Sequence, residues 1–301
     1  MSAGSMSVQH FFDPATSTLS YVVHDDVTRD AVVIDPVLDY DPQTSQTSTA
    51  SVEAIFAHVR AHGLRVHYVL DTHPHADHLS GTQWLKRRLG ARGAIGDGIR
   101  AVQVVLRDLL GLPADFAVDG RQFDRLLHDG EVVEAGALAV HVLATPGHTP
   151  ACLTYRIRDA VFTGDALFLP DYGTARCDFP AGDAATLYAS VHDRLYALPD
   201  DTRVFVGHDY QPGGREVRWQ TTIGQSKRDN VQLRATTARD EFVRFRRDRD
   251  RTLAPPRLYY PSIQINVNAG RLPAARADGR RFLSIPINPV HPTDDDGGEL
   301  R

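Results

Sequence analysis

Residues 73–78 read His-Pro-His-Ala-Asp-His, which puts four ligand-type side chains within six positions. The run follows an apolar, β-branched stretch at 66–70 that reads as a strand. It precedes a stretch at 81–89 that reads as a helix. Residues two apart at the end of an extended segment point the same way, so His73 and His75 are expected to reach one ion. Asp77 and His78 follow from the next turn. Imidazole suits zinc, iron, copper and nickel, and a carboxylate adds charge and hardness. A chain built around such a run must bring further ligands to it, and therefore further strand ends. Three candidates are placed for that. His148 lies in Thr-Pro-Gly-His-Thr at 145–149, Asp165 closes the apolar run 161–164, and His208 lies in Val-Gly-His-Asp-Tyr at 206–210. Any one of them alone reads as an ordinary solvated or hydrogen-bonded residue. Together, four strand ends carry seven ligand-type residues, and strand ends of a rigid sheet are where loops collect functional groups.

The rest of the chain supports a sheet-rich globule around that cluster. It has 301 residues, 42% of them apolar and 24% charged, enough to bury a core and to exclude disorder as the main state. The formal charge of −5 gives no basic excess for nucleic acid. No apolar run approaches the roughly 20 residues of a membrane helix. Two cysteines cannot form a disulfide framework, which suits a reducing compartment. No basic segment followed by an apolar stretch opens the chain, so a cytoplasmic location is expected. Residues 1–5 read as a flexible leader, and 293–301 as an acidic, frayed tail.

Along the chain, 19–23 and 31–34 form an expected antiparallel hairpin. Residues 40–50, rich in Ser, Thr, Gln and Pro, read as a loop. Val52, Ile55, Phe56 and Val59 fall at helical spacing before Gly63. A helix is expected over 100–110, a loop over 113–125, and strands at 132–133, 138–144, 152–157, 161–164 and 204–206. Residues 184–197 read as an amphipathic helix. The chain becomes helical and charged after about 213, and from Pro255 it is proline-rich and expected to wrap the surface. Arg244 to Arg251 alternates charge sign, as on a solvated helix face. Two runs of mostly antiparallel strands, each followed by helices, favour a sheet-on-sheet core with helices outside over a doubly wound parallel sheet.

The run at 73–78, taken with His148, Asp165 and His208, resembles the metallo-β-lactamase superfamily. The resemblance covers about residues 10–240. It implies a four-layer αββα sandwich with a metal site along one sheet edge. Residues 1–240 would then form the catalytic domain, and 241–301 a C-terminal extension packed on it. A second motif narrows the reaction. Gly164-Asp165-Ala166-Leu167-Phe168 is followed by Gly173-Thr174-Ala175-Arg176-Cys177-Asp178-Phe179. This resembles the stretch after the metal-binding aspartate in persulfide dioxygenases. Arg228 with Asn230, Glu241-Phe242-Val243, and Asn266 to Gly270 resemble later parts of that branch. The loop at 39–51 and the helix and loop over 100–129 are longer than in its short members.

The resemblance implies one Fe(II) per chain, held by His73, His148 and Asp165. Two histidines and one carboxylate leave positions open for solvent, substrate and oxygen. The substrates would be a small thiol persulfide, glutathione persulfide foremost, and O₂, and the assembly a homodimer. His75, Asp77, His78 and His208 then stand around the iron. The same residues would complete a two-zinc site that hydrolyses glutathione thioesters, and the ligand list does not separate the two. Arg176 is a candidate for a substrate carboxylate or for a structural pair with Asp178. Tyr172, Tyr210 and Arg228 are further candidates for substrate contact. Cys177 and Cys152 read as packed thiols.

Overall fold

Side-chain alternation along the first strands decides the layers. Tyr21, Val23, Val32 and Ile34 enter one buried cluster, whereas Val22, Ala31 and Val33 enter another. A sheet buried on both faces must lie between two other layers. The computed structural model describes residues 5–287. Most of the expected leader and all of the acidic tail lie outside the described residues. The first half runs β1 (Met6–Asp13), β2 (Thr18–Asp25), β3 (Asp30–Ile34), β4 (Val37–Asp41), β5 (Gln46–Ser48), α1 (Ala50–Ala61), β6 (Arg65–Leu70), β7 (Leu79–Ser80), α2 (Thr82–Leu89), β8 (Arg92–Gly96), α3 (Ile99–Leu109) and β9 (Arg125–Leu127). The second half runs β10 (Val132–Ala135), β11 (Leu138–Ala144), β12 (Leu153–Ile157), β13 (Ala160–Phe162), α4 (Ala184–Ala189), β14 (Arg203–Phe205), β15 (Gln220–Thr222), α5 (Ile223–Asp229), α6 (Arg239–Asp250) and α7 (Tyr259–Asn266).

Two six-stranded sheets result, ordered β1-β2-β3-β6-β8-β9 and β10-β11-β12-β13-β14-β15. Their facing sides share the main core, where Tyr21, Ile34 and Leu70 meet Val140, Tyr155 and Phe162. Val52, Ile55 and Val59 of α1 and Leu85 of α2 cover the outer face of the first sheet. Leu187 of α4 and Phe242 of α6 close the second. This is the four-layer αββα sandwich.

The structure departs from the sequence reading in several places. The first sheet is not mostly antiparallel, because β3, β6, β8 and β9 pair in parallel. α1, α2 and α3 lie in the three crossovers that these parallel neighbours require. Residues 40–50 are not simply a loop. β4 and β5 form a hairpin there, and β4 also pairs with β7 beside the motif. The helix expected over 184–197 is α-helical only to Ala189, then continues as a π-helical turn over Ser190–Leu195. The arginine-rich helix α6 is not solvated all round, since Arg246 is only 1% exposed and pairs with Asp250. The segment beyond Pro255 does not merely wrap the surface either. α7 buries every residue from Pro261 to Asn266.

Candidate metal centre

Leaving β6, the chain stops being extended, and the motif turns beneath the edge of the sandwich. His73 therefore parts from His75. Their rings lie 4.0 Å apart, but they join different ligand groups. Residues 73–78 are not a strand, so the two rings are brought side by side by a turn and not by strand alternation.

The first group is His73, His148 and Asp165, whose donor atoms all lie within 4.8 Å of one another. Asp165 Oδ2 is 3.8 Å from His73 Nε2 and 3.5 Å from His148 Nε2. Hydrogen bonds assign the tautomers. His148 Nδ1 donates to the Arg176 carbonyl at 2.6 Å. The Thr72 hydroxyl donates to Asp35 at 2.8 Å, so it accepts from His73 Nδ1 at 3.0 Å. Both rings are left with a lone pair on Nε2. Burial first, then the neighbouring His75, holds His73 well below the usual imidazole range, so it stays neutral.

The second group is His75, Asp77 and His78. His208 stands between the two groups, its Nε2 3.3 Å from Asp165 Oδ1 and 3.5 Å from Asp77 Oδ2. The Thr18 hydroxyl lies 3.3 Å from both Asp77 Oδ2 and His78 Nδ1, and 3.5 Å from His208 Nδ1. Behind them, Asp35 approaches His75 Nε2 at 3.0 Å. Asp71 accepts from Ser80 and Thr82. Burial, with Asp35 nearby, pushes the Asp71 carboxyl up to about 7.

These residues pass a simple test for metal. Nε2 of His73, His78 and His208, and Oδ1 of Asp165, are buried and make no hydrogen bond. Buried polar atoms left bare are costly, and these belong to the two ligand groups and to His208 between them. Cations held at these groups would satisfy them.

Two glycines set the loops. Gly147 sits at φ 137°, where a Cβ would come 2.4 Å from the Leu187 backbone of α4. At Gly164, φ 48°, a Cβ would come 2.4 Å from Thr72 Oγ1. The turns bearing His148 and Asp165 can approach their neighbours only without side chains at these positions.

A cavity of about 380 Å³ opens over Asp77, His148 and Asp165. Phe168, Tyr172 and Tyr210 line it, the two tyrosine rings stacked 4.5 Å apart. Arg176 lines it too, but its guanidinium is engaged: it donates twice to Asp178, at 2.6 and 2.7 Å, and to the carbonyls of Leu253 and Ala254. Arg228 lies exposed on α5 and is not among the lining residues. Arg249 and Arg257 are exposed at the rim. The sequence reading singled out neither of these two, nor Thr18 or Asp35. Asp35, in Ile-Asp-Pro at a strand end, carried the one available signal.

Cys177 and Cys152 are 6% and 3% exposed. Burial pushes Cys152 up to about 12 and Cys177 well above the usual thiol range. Since the thiolate is the reactive form, neither is expected to react with iodoacetamide at pH 8 in the native protein. Mass spectrometry should find both labelled only after denaturation.

Comparison with known proteins adds the following. The sequence pattern of the metallo-β-lactamase superfamily matches residues 13–208. A probable metallo-hydrolase of Burkholderia pseudomallei is 47% identical over 95% of this chain and 100% of its own length. A β-lactamase hydrolase-like protein of Xylella fastidiosa is 46% identical over 93% of this chain, which spans 64% of that protein. The mitochondrial persulfide dioxygenase of Homo sapiens is 33% identical over 81% of each chain. Among solved structures, ETHE1 from Myxococcus xanthus superposes with a TM-score of 0.70 at 32% identity, covering 88% of this chain and all of that one.

Proposed function

The chain belongs to the metallo-β-lactamase superfamily, and on that premise we propose that it is a persulfide dioxygenase acting on a low-molecular-weight thiol persulfide. The observation that carries the reading is the placement of residues 176–179. The Arg176 carbonyl fixes His148, and the Phe179 ring packs edge-on against it at 5.0 Å. The segment that resembles the dioxygenase branch is thus the one that shapes the first ligand group. The similarity to persulfide dioxygenases over most of both chains supports the same reading.

In this reading His73, His148 and Asp165 hold one Fe(II). Iron there supplies redox chemistry with O₂ that zinc lacks. The net reaction is RSSH + O₂ + H₂O → RSH + H₂SO₃, in which the outer sulfur gives up four electrons and O₂ takes them. The protein's own groups position the substrate. Phe168, Tyr172 and Tyr210 wall the cavity and limit water, and Thr18 steadies Asp77, His78 and His208 from behind. Arg249 and Arg257 are exposed at the rim, and among the described residues neither has a carboxylate within ion-pair distance, which suits the carboxylates of glutathione persulfide. Arg257→Ala is expected to raise KM by about tenfold while kcat stays within about twofold, because the contact acts alike in ground and transition states. Steady-state kinetics check this, and an unchanged KM removes Arg257 from the substrate site. A role in sulfide detoxification follows from the reaction. No helix among the described residues is long and apolar enough to cross a membrane, and the reading places the enzyme in the cytoplasm.

One further reading has an observation in its favour. His75, Asp77 and His78, with His208, could hold a second ion, and a probable metallo-hydrolase is among the relatives. The protein would then be a dinuclear zinc hydrolase of glutathione thioesters. Counting metal after anaerobic loading, alongside a thioester assay of the zinc form, tests the choice. One iron per chain and no thioester cleavage supports the dioxygenase. Two zinc ions with rapid cleavage overturns it.

A further inference from the structure

The motif's backbone is irregular over 75–78 and runs into the two-residue strand β7, so buried carbonyls and amides that neither a helix nor the short β4–β7 ladder pairs must find partners elsewhere. One side chain supplies three of those partners. Asn266, the last residue of α7, donates from Nδ2 to the carbonyls of both His75 and His78 at 2.7 Å. Its Oδ1 accepts from the Ser80 amide at 2.8 Å. Asn266 is 3% exposed and lies 186 residues away from Ser80 in sequence. The turn after it is gripped in return: Gln83 donates to the Ala269 carbonyl at 2.9 Å, and Gln103 to that of Val267 at 2.8 Å. We infer that Asn266 is a positioning residue that sets the backbone from His75 to Ser80, and with it the direction of the His75, Asp77 and His78 side chains.

The inference rests on the reading of this run as metal-binding, and it gives the C-terminal segment, outside the matched residues 13–208, a defined task. Groups that orient ligands typically change metal affinity by about 10- to 100-fold when lost. Asn266→Asp keeps the acceptor for Ser80 but loses both donations. The control is Gln264→Ala, since Gln264 sits on the same helix and its side chain, among the described residues, hydrogen-bonds Tyr260 and Ser284 and not the motif.

The experiment loads full-length wild type and both variants with Co(II), titrates affinity, records the ligand-field spectrum and measures thermal stability. Asn266→Asp is expected to weaken Co(II) binding by about tenfold or more and to shift the spectrum. Gln264→Ala should keep both while losing comparable stability. Wild-type affinity and spectrum in Asn266→Asp overturn the inference. Failure of the wild type itself to take up Co(II) sinks the metal reading instead, which separates the two. If Asn266→Asp does not fold, amide exchange on the wild type decides. Metal loading should slow Ser80 together with 263–266, and slowing at 75–80 alone overturns the inference.

Discussion

Asp165→Ala abolishes both metal retention and turnover. Asp165 is the one carboxylate in the group with His73 and His148, and its second oxygen reaches His208. Without it, two imidazoles remain, with no negative charge to offset a divalent ion. The loss should be near complete, with metal content after desalting close to zero and product formation at background. The fold should survive, because the carboxylate is anchored to none of the core layers and its Oδ1 makes no hydrogen bond. Far-UV circular dichroism should therefore match the wild type. Elemental analysis finding a full complement of metal in Asp165→Ala would remove this residue from the centre.

Arg246→Ala carries the largest expected cost in stability. Arg246 and Asp250 are both buried, and Asp250 Oδ1 accepts from Nε at 2.9 Å and from NH2 at 2.6 Å. The remaining donor reaches the Thr174 carbonyl and Gln232. Truncation leaves Asp250 buried and unpaired, which costs about 3–5 kcal/mol. Asp250 Oδ2 also accepts from the Cys177 amide at 2.8 Å, so the damage reaches the loop that holds His148. Replacing both partners by apolar residues, Arg246→Met with Asp250→Leu, should recover part of the loss, since no bare charge then remains. Urea denaturation checks both. A loss under about 1 kcal/mol, the scale of an exposed pair, would contradict the burial argument.

The centre was legible in sequence because its ligands are chemically distinctive and fall at strand ends. His73, His148, Asp165 and His208 need only local spacing and a strand reading to be found. Their division into two groups came from the family resemblance and not from spacing, because it depends on the chain leaving β6 at Leu70 and turning. The parallel half of the first sheet was missed with β8. That strand reads Arg-Gly-Ala-Ile-Gly and carries little β-branched signal, so the strand–helix–strand units around it went unrecognised. β5 and its neighbour are short, polar and half exposed, and such ribbons resemble loops in composition. α7 was the deepest miss. It buries Ser262, Gln264 and Asn266 as well as its apolar residues, and hydropathy patterns see buried polar side chains as surface. Only the hydrogen bonds they make reveal why they are inside. The arginine run reads as a solvated helix face and is mostly that; only Arg246 and Asp250 turn inward, where Arg246 is buried by a partner four residues along its own helix.

The central claim is oxygen chemistry at this centre, and oxygen consumption tests it most directly. Glutathione persulfide is added to protein loaded anaerobically with Fe(II), in an oxygen electrode, with sulfite assayed in the same vessel and zinc-loaded protein as the control. The account predicts one sulfite per O₂ consumed, in the iron sample alone. No uptake with iron, or equal product from the zinc form, would contradict it.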